Sequence, residues 1–491
     1  MVKGESYLEH VEKFETSLAP YAKKSFEDFS QSFLDGGNML DYYSKHWQDA
    51  GSKLRLEKRT PLQIERDRIV HSSGSRKLTE KYHVLYNGQR RIVRNYITHT
   101  MRLVQVTHAI SRWLNLNGDF AEAIALGSKI GSLPFIHASK HAVSSWVKNK
   151  IKKIDEEFAK NDPEANYRFN QLKLNFGENP LPPWMTNLNS PRIIDKVVKY
   201  MPWAAGKDVD KGYSSGQQGY WMLSTNPFAV TSKANTYSPE LMYGIWRHSL
   251  DSPIGPNTFL HKSDFYGATS GHHEIQWSHL TYEAIVVKYA DDITWVVENL
   301  NDANSAALLN DRRSIYDSLI RELGGEVPDS LLKGLVAGNT GLIYTYFITD
   351  FNKNSENKLS LIREGVQKRI ALREGSVDDA QIGLSDEGLN VLRKIKDFLE
   401  KTVFAEIRVS NRAKMLNTLS DACMELLYNG VEDILPKYIK EKAVLERWSE
   451  DDIANALSLI RDPIHRIQLC VNVFCDMADQ EIYDFVGIES L

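Results

Sequence analysis

Imidazoles and carboxylates are the side chains that hold a divalent cation at neutral pH, and this sequence sets some of them inside apolar helical patterns. His99 falls within the series Val93, Ile97, Met101, Val104, Ile110 and Leu114, close to a 3.6-residue period. On residue type alone it reads as a hydrogen-bonded core histidine of an amphipathic helix. Asp291 and Asp292 stand inside the pattern Ile285, Val286, Ala290, Ile293 and Val297, so at least one of the two carboxylates is not fully exposed. His272, His273 and Glu274 offer a second metal reading. Adjacent histidines point in different directions on most backbones, so one ligand pair at most forms there, and an exposed polar loop is the competing reading. The basic segment Arg55 to Arg68, with Arg76, Lys77 and Lys81 beyond it, is a candidate for phosphate contact. Glu57 and Glu65 are mixed into it, which equally fits a solvated face.

The elements that must position these groups read as helices. Glycine and proline are sparse, and long segments carry apolar residues at spacings of three and four. Asn117-Gly118 breaks the series that holds His99. Asp119 then has the look of an N-cap, with Glu122 at capping-box spacing and a helix from Phe120 to about Ile130. Further helices are expected from Tyr282 to Leu300 and from Pro463 to Tyr483, the last with Asp462 as N-cap and Pro463 in its first turn. Residues 207–271 differ: YSSGQQGYW, LSTNPF and SPIGPN predict an irregular insertion or a short hairpin.

The 491 residues have an ordinary globular balance, 42% hydrophobic and 25% charged. A net charge of −4 gives no general electrostatic reason to bind nucleic acid or an anionic membrane. Cys423, Cys470 and Cys475 form no CxxC pair and read as reduced thiols. The charged start MVKGESYLEHVEKF has no apolar signal core, and no apolar run approaches the roughly 18 residues that span a bilayer. A soluble cytoplasmic protein is expected.

Three co-ordered segments then resemble the HD-domain dGTPases, the deoxyguanosinetriphosphate triphosphohydrolases. They are ERDRIVHSSGSRKL (65–78), RNYITHTMRLVQVTHAI followed by DFAEAIALGSKIGSLPFIH (94–137), and YADDITWVVENLNDA (289–303). VVKYMPW (197–203) and CVNVFCDMADQEIYDF (470–485) are weaker echoes. The resemblance implies an all-α fold with an N-terminal helical extension over 1–58, an HD-domain core over 59–305 and a C-terminal helical region over 306–491. Relatives form hexamers or tetramers, so a homo-oligomer, or a hetero-oligomer with an active paralogue, is implied as well.

In that family a His, an adjacent His-Asp pair and a later Asp hold a divalent metal, which neutralises phosphate oxygens and polarises water or the scissile bond. The first His matches His99 and the late Asp matches Asp291, but the central pair falls on Ser128 and Lys129. A hydroxyl is a poor ligand, and a protonated lysine is none at all. The family's catalytic His matches His137, and the acid three residues beyond it falls on Lys140. A phosphate-binding arginine falls on Tyr96, the sugar-packing tyrosine on Trp295, and a further acid on Asn299. Arg66 and Arg76 lie near the segment where relatives place allosteric nucleotide contacts. An intact site sums to zero charge with its dication. Here Lys129 and Asp291 sum to zero without one, which predicts that they pair in the metal's place. The expected function is a catalytically degenerate, nucleotide-binding or regulatory subunit with no cofactor. The alternatives are an active dNTP triphosphohydrolase, with Mn, Mg or another divalent metal, and a structural subunit beside an active paralogue.

Overall fold

The computed structural model describes residues 61–82, 94–135, 137–161, 213–223, 237, 239–247, 282–309, 313–324, 327–372, 382–405, 410–446 and 448–487. The expected N-terminal extension, the 197–203 echo and His272-His273-Glu274 lie outside them, as does the side chain of His137. The described helices are α1 (Pro61–Val70), α2 (Ser73–Lys77), α3 (Tyr96–Trp113), α4 (Gly118–Ile130), α5 (His137–Asn161), α6 (Ser215–Leu223), α7 (Pro239–Arg247) and α8 (Tyr282–Leu309). There follow α9 (Ile315–Leu323), α10 (Asp329–Val336), α11 (Thr340–Leu372), α12 (Asp386–Leu399), α13 (Asn411–Asn429), α14 (Ile434–Glu446), α15 (Glu450–Leu459), α16 (Pro463–Asp476) and α17 (Asp479–Val486). Among the described residues there is no β-strand, only an isolated antiparallel bridge between Tyr82 and Asn95. The fold is all-α, as expected. No described helix is long and apolar enough to cross a membrane.

Two apolar cores organise these helices. The first gathers Leu103 and Ile110 of α3, Ile124 of α4, Val286, Ile293 and Val297 of α8, and Phe347 and Phe351 of α11. The second joins Val143, Val147 and Ile151 of α5 to Leu419 and Met424 of α13 and to Ile467, Val471 and Phe474 of α16. Helix α4, buried along most of its length, is the central strut: α1, α3, α6, α7 and α8 all pack on it.

Four local expectations are corrected. Asn117, not Asp119, caps α4, because its Oδ1 accepts the Phe120 N–H at 2.9 Å. Asp119 is thereby free to face α1, where it accepts from Gln63 (2.9 Å) and Arg66 (2.8 Å). Helix α8 continues past Leu300 to Leu309, since Asn301 and Asp302 carry no breaker and Ala303 and Ala307 remain buried. The segment after Asp462 is two helices rather than one, divided at Met477, although Asp462 does cap the first by accepting from Ile464 and His465. Within 207–271, the described residues form helices α6 and α7. Glycines let α6 pack closely on the end of α4: a side chain at Gly131 would run into Ser215 O and Gly219 N, and one at Gly219 would lie 2.9 Å from Gly127 O.

Candidate functional site

Three helices bring the sequence-predicted groups together. Helix α3 carries Tyr96 and His99, the C-terminal turn of α4 carries Ser128 and Lys129, and α8 carries Asp291, Trp295 and Asn299. The Lys129 ammonium lies 2.6 Å from each oxygen of Asp291. The lysine side chain is 5% exposed and the aspartate 23%, so the pair forms the floor of the site with the carboxylate outermost. Burial alone would push the Lys129 ammonium down. The Asp291 carboxylate, with Tyr96 next, outweighs it and holds the group above its ordinary value. Ser128 is turned back on its own helix, its hydroxyl donating to Ala125 O at 2.7 Å.

His99 stands between two carboxylates. Its Nε2 is 3.5 Å from Asp291 Oδ1, and its Nδ1 is 2.6 Å from Glu298 Oε2. Glu298 has no exposure at all and draws Arg94 and Arg102 onto the same carboxylate, Arg102 at 3.0 Å. Arg94 also reaches Asp302 at 2.6 Å. A continuous chain of polar contacts therefore runs from Lys129 through Asp291, His99 and Glu298 to the two arginines and Asp302. Lys129, Arg94 and Arg102 balance Asp291, Glu298 and Asp302, three charges against three. Such closure is what a low-dielectric interior requires, because an unpaired ion there costs several kcal/mol.

Glu298, Arg94, Arg102 and Asp302 were not singled out in the sequence. Their signal was helical spacing between charges: Arg102 three residues after His99, Glu298 seven after Asp291, and Asp302 four after Glu298.

The other predicted residues are engaged by neighbours or exposed. Trp295 is stacked on Phe404, with ring centroids 5.2 Å apart, so one of its faces is taken. Asn299 is buried and its amide donates to Trp295 O at 2.7 Å. Lys140 and Arg76 are exposed, on α5 and α2. Arg66 is neutralised by Asp67, Asp119 and Glu122. At about 1.5 Å rise per residue, Asp119 lies roughly 15 Å along α4 from Lys129, so Arg66 does not join the site.

The resemblance implies a divalent metal, and the described residues do not fit one. A cation placed between His99 and Asp291 would meet the Lys129 ammonium, a like charge already on both carboxylate oxygens. Nor do any three His, Cys, Asp or Glu side chains among the described residues converge as a metal-holding group.

No protein-family model matches the chain. It is similar to proteins named deoxyguanosinetriphosphate triphosphohydrolase-like, among them one from Clostridium tetani, 25% identical over 403 residues, 78% of this chain and 87% of the relative. One from Wolinella succinogenes is 25% identical over the same shares of the two chains. One from Azoarcus is 42% identical over 91 residues, 18% of this chain and 24% of the relative. Spread over most of both chains in the first two cases, this similarity supports a relationship to the dGTPase-like proteins.

Proposed function

We propose that the chain is a dGTPase-like protein that has exchanged its metal for a tethered ammonium, and that it binds a deoxynucleotide or regulates a partner subunit rather than hydrolysing dNTPs. The observation that carries this reading is Lys129 Nζ at 2.6 Å from both Asp291 oxygens. Phosphoryl transfer needs positive charge that develops its full strength against the transferring group. An ammonium already committed to a carboxylate offers little of it. The deoxynucleotide is the ligand class named in the dGTPase-like relatives, and its pocket would be bounded by Asp291, Tyr96 and Trp295. A partner subunit, either a second copy or an active paralogue, would supply the chemistry this site lacks.

The test is a thermal melt with each dNTP, with and without Mn²⁺, beside an assay for released tripolyphosphate. The expected result is a metal-independent rise in melting temperature of a few degrees at about a hundredfold excess over Kd, without turnover. Mn²⁺-dependent turnover lost on Asp291→Ala would overturn the proposal. Silence with all four nucleotides would leave a structural subunit as the better reading.

A further inference from the structure

Residues 131–135 join the end of α4, two residues after Lys129, to the start of α5 at His137. Four main-chain groups of this turn are held by side chains. Gly131 O accepts from the Tyr213 hydroxyl at 2.6 Å, and Ser132 O from the Lys81 ammonium at 2.7 Å. Pro134 O accepts from Ser139. The Phe135 N–H donates to Asp479 Oδ1 at 2.9 Å. Phe135 itself has φ of 53°, in the left-handed region that a bulky side chain enters only under constraint.

Asp479 is the first residue of α17, yet its carboxylate makes its hydrogen bonds elsewhere and does not cap that helix. Ala478 is the N-cap, and its N–H is taken by Glu481 at 2.7 Å. Both Asp479 oxygens go outward, one to Phe135 and the other to the Tyr82 N–H at 2.9 Å. The segment so gripped also steers α3: Lys81 O accepts the Tyr96 N–H at 2.8 Å, on the first residue of the helix that carries His99. Lys81 closes the circle by donating to Cys475 O at the end of α16. Burial pushes the Asp479 carboxyl up to about 6, against the two N–H groups and Lys81. A site that dry would select an apolar residue if packing were all that was asked of it.

We propose that Asp479, with Lys81, is a positioning residue of the candidate site. It holds Phe135 in the left-handed conformation and so fixes how the chain passes from Lys129 to His137. The C-terminal helices thereby set the geometry of a turn distant in sequence, and a ligand or partner that shifted α17 would reach the site through it. This stands on the turn's own contacts and not on whether the pocket takes a nucleotide.

The test is hydrogen exchange on the full chain, read on peptides containing Tyr82 and Phe135, for wild type and Asp479→Asn. An amide can accept from one of the two N–H groups but opposes the other with its own. Exchange should therefore rise about tenfold in at least one of these peptides, the size expected for losing a bond to a charged acceptor, while α16 is unchanged. No rise in either peptide, or an equal rise throughout α16, overturns the proposal. Phe135→Gly supplies the second arm, since glycine adopts this φ without help. The melting-temperature loss from Asp479→Asn should fall by about half or more in the Phe135→Gly background. Equal losses in both backgrounds would overturn it. If Asp479→Asn folds only alongside Phe135→Gly, the role is upheld; if neither protein folds, it is not.

Discussion

Two lysines lie buried on either side of the same turn, and they solve the problem of burial in opposite ways. Lys129 meets a full negative charge, both oxygens of Asp291, and is held above its ordinary pKa. Lys81, with no exposure at all, donates to the backbone carbonyls of Ser132 and Cys475. Desolvation pushes it below the ordinary lysine value, with Cys475, Asp476 and Asp479 only partly opposing. The first arrangement is electrostatic and depends on one partner. The second is geometric, a fork joining two stretches of main chain, and would tolerate a weaker charge. The difference separates a charge held by an opposite charge from a charge held by main chain.

Removing one partner of each lysine sharpens the contrast. Asp291→Asn strands the Lys129 ammonium and should cost about 3 kcal/mol in urea unfolding, the lower end for a broken buried pair. Adding Lys129→Met should restore part of the loss; a double variant no better than the single would mean that the two charges are not coupled. Lys81→Met should cost less, about 1–2 kcal/mol, because it orphans two carbonyls while also relieving a desolvated charge. A loss equal to that of Asp291→Asn would erase the distinction between the two lysines. The smallest effect concerns pH. The folded value of Asp479 is raised to about 6, against about 3.9 for an unfolded aspartate. The folded chain therefore takes up the proton first. Relative to Asp479→Asn, wild type should gain about 1 kcal/mol as the pH falls from about 7 to 5, with the gain complete below the unfolded value. A gap that narrowed with acid would reverse the sign of this environment.

The helices were legible because their signals are local: apolar residues recur at 3.6, and Asp462 caps α16 where its residue type and place suggested. The residues of the site were legible only through resemblance, and the Lys129–Asp291 pair through a charge sum. Glu298 was hidden because nothing local marks a lone helical glutamate as buried, and only the convergence of α3, α8 and α11 encloses the carboxylate. Asp479 was hidden, and Lys81 was read as a phosphate contact and not as a buried fork, for a related reason. Their partners are 344 and 394 residues away along the chain, and no periodicity encodes such a distance. Asp119 misled because two capping residues lie within three positions, and the nearer one to the break took the role.

The tether of Lys129 has one more outcome. A bound dication is in exchange with its surroundings: it can be removed by a chelator, replaced by a competing metal or left vacant when supply is short. The ammonium on α4 belongs to the chain, so its local concentration beside Asp291 is set by covalent geometry and not by any pool. The brace between α4 and α8 is therefore part of the fold itself, and on the proposed reading it is assembled at folding with no loading step.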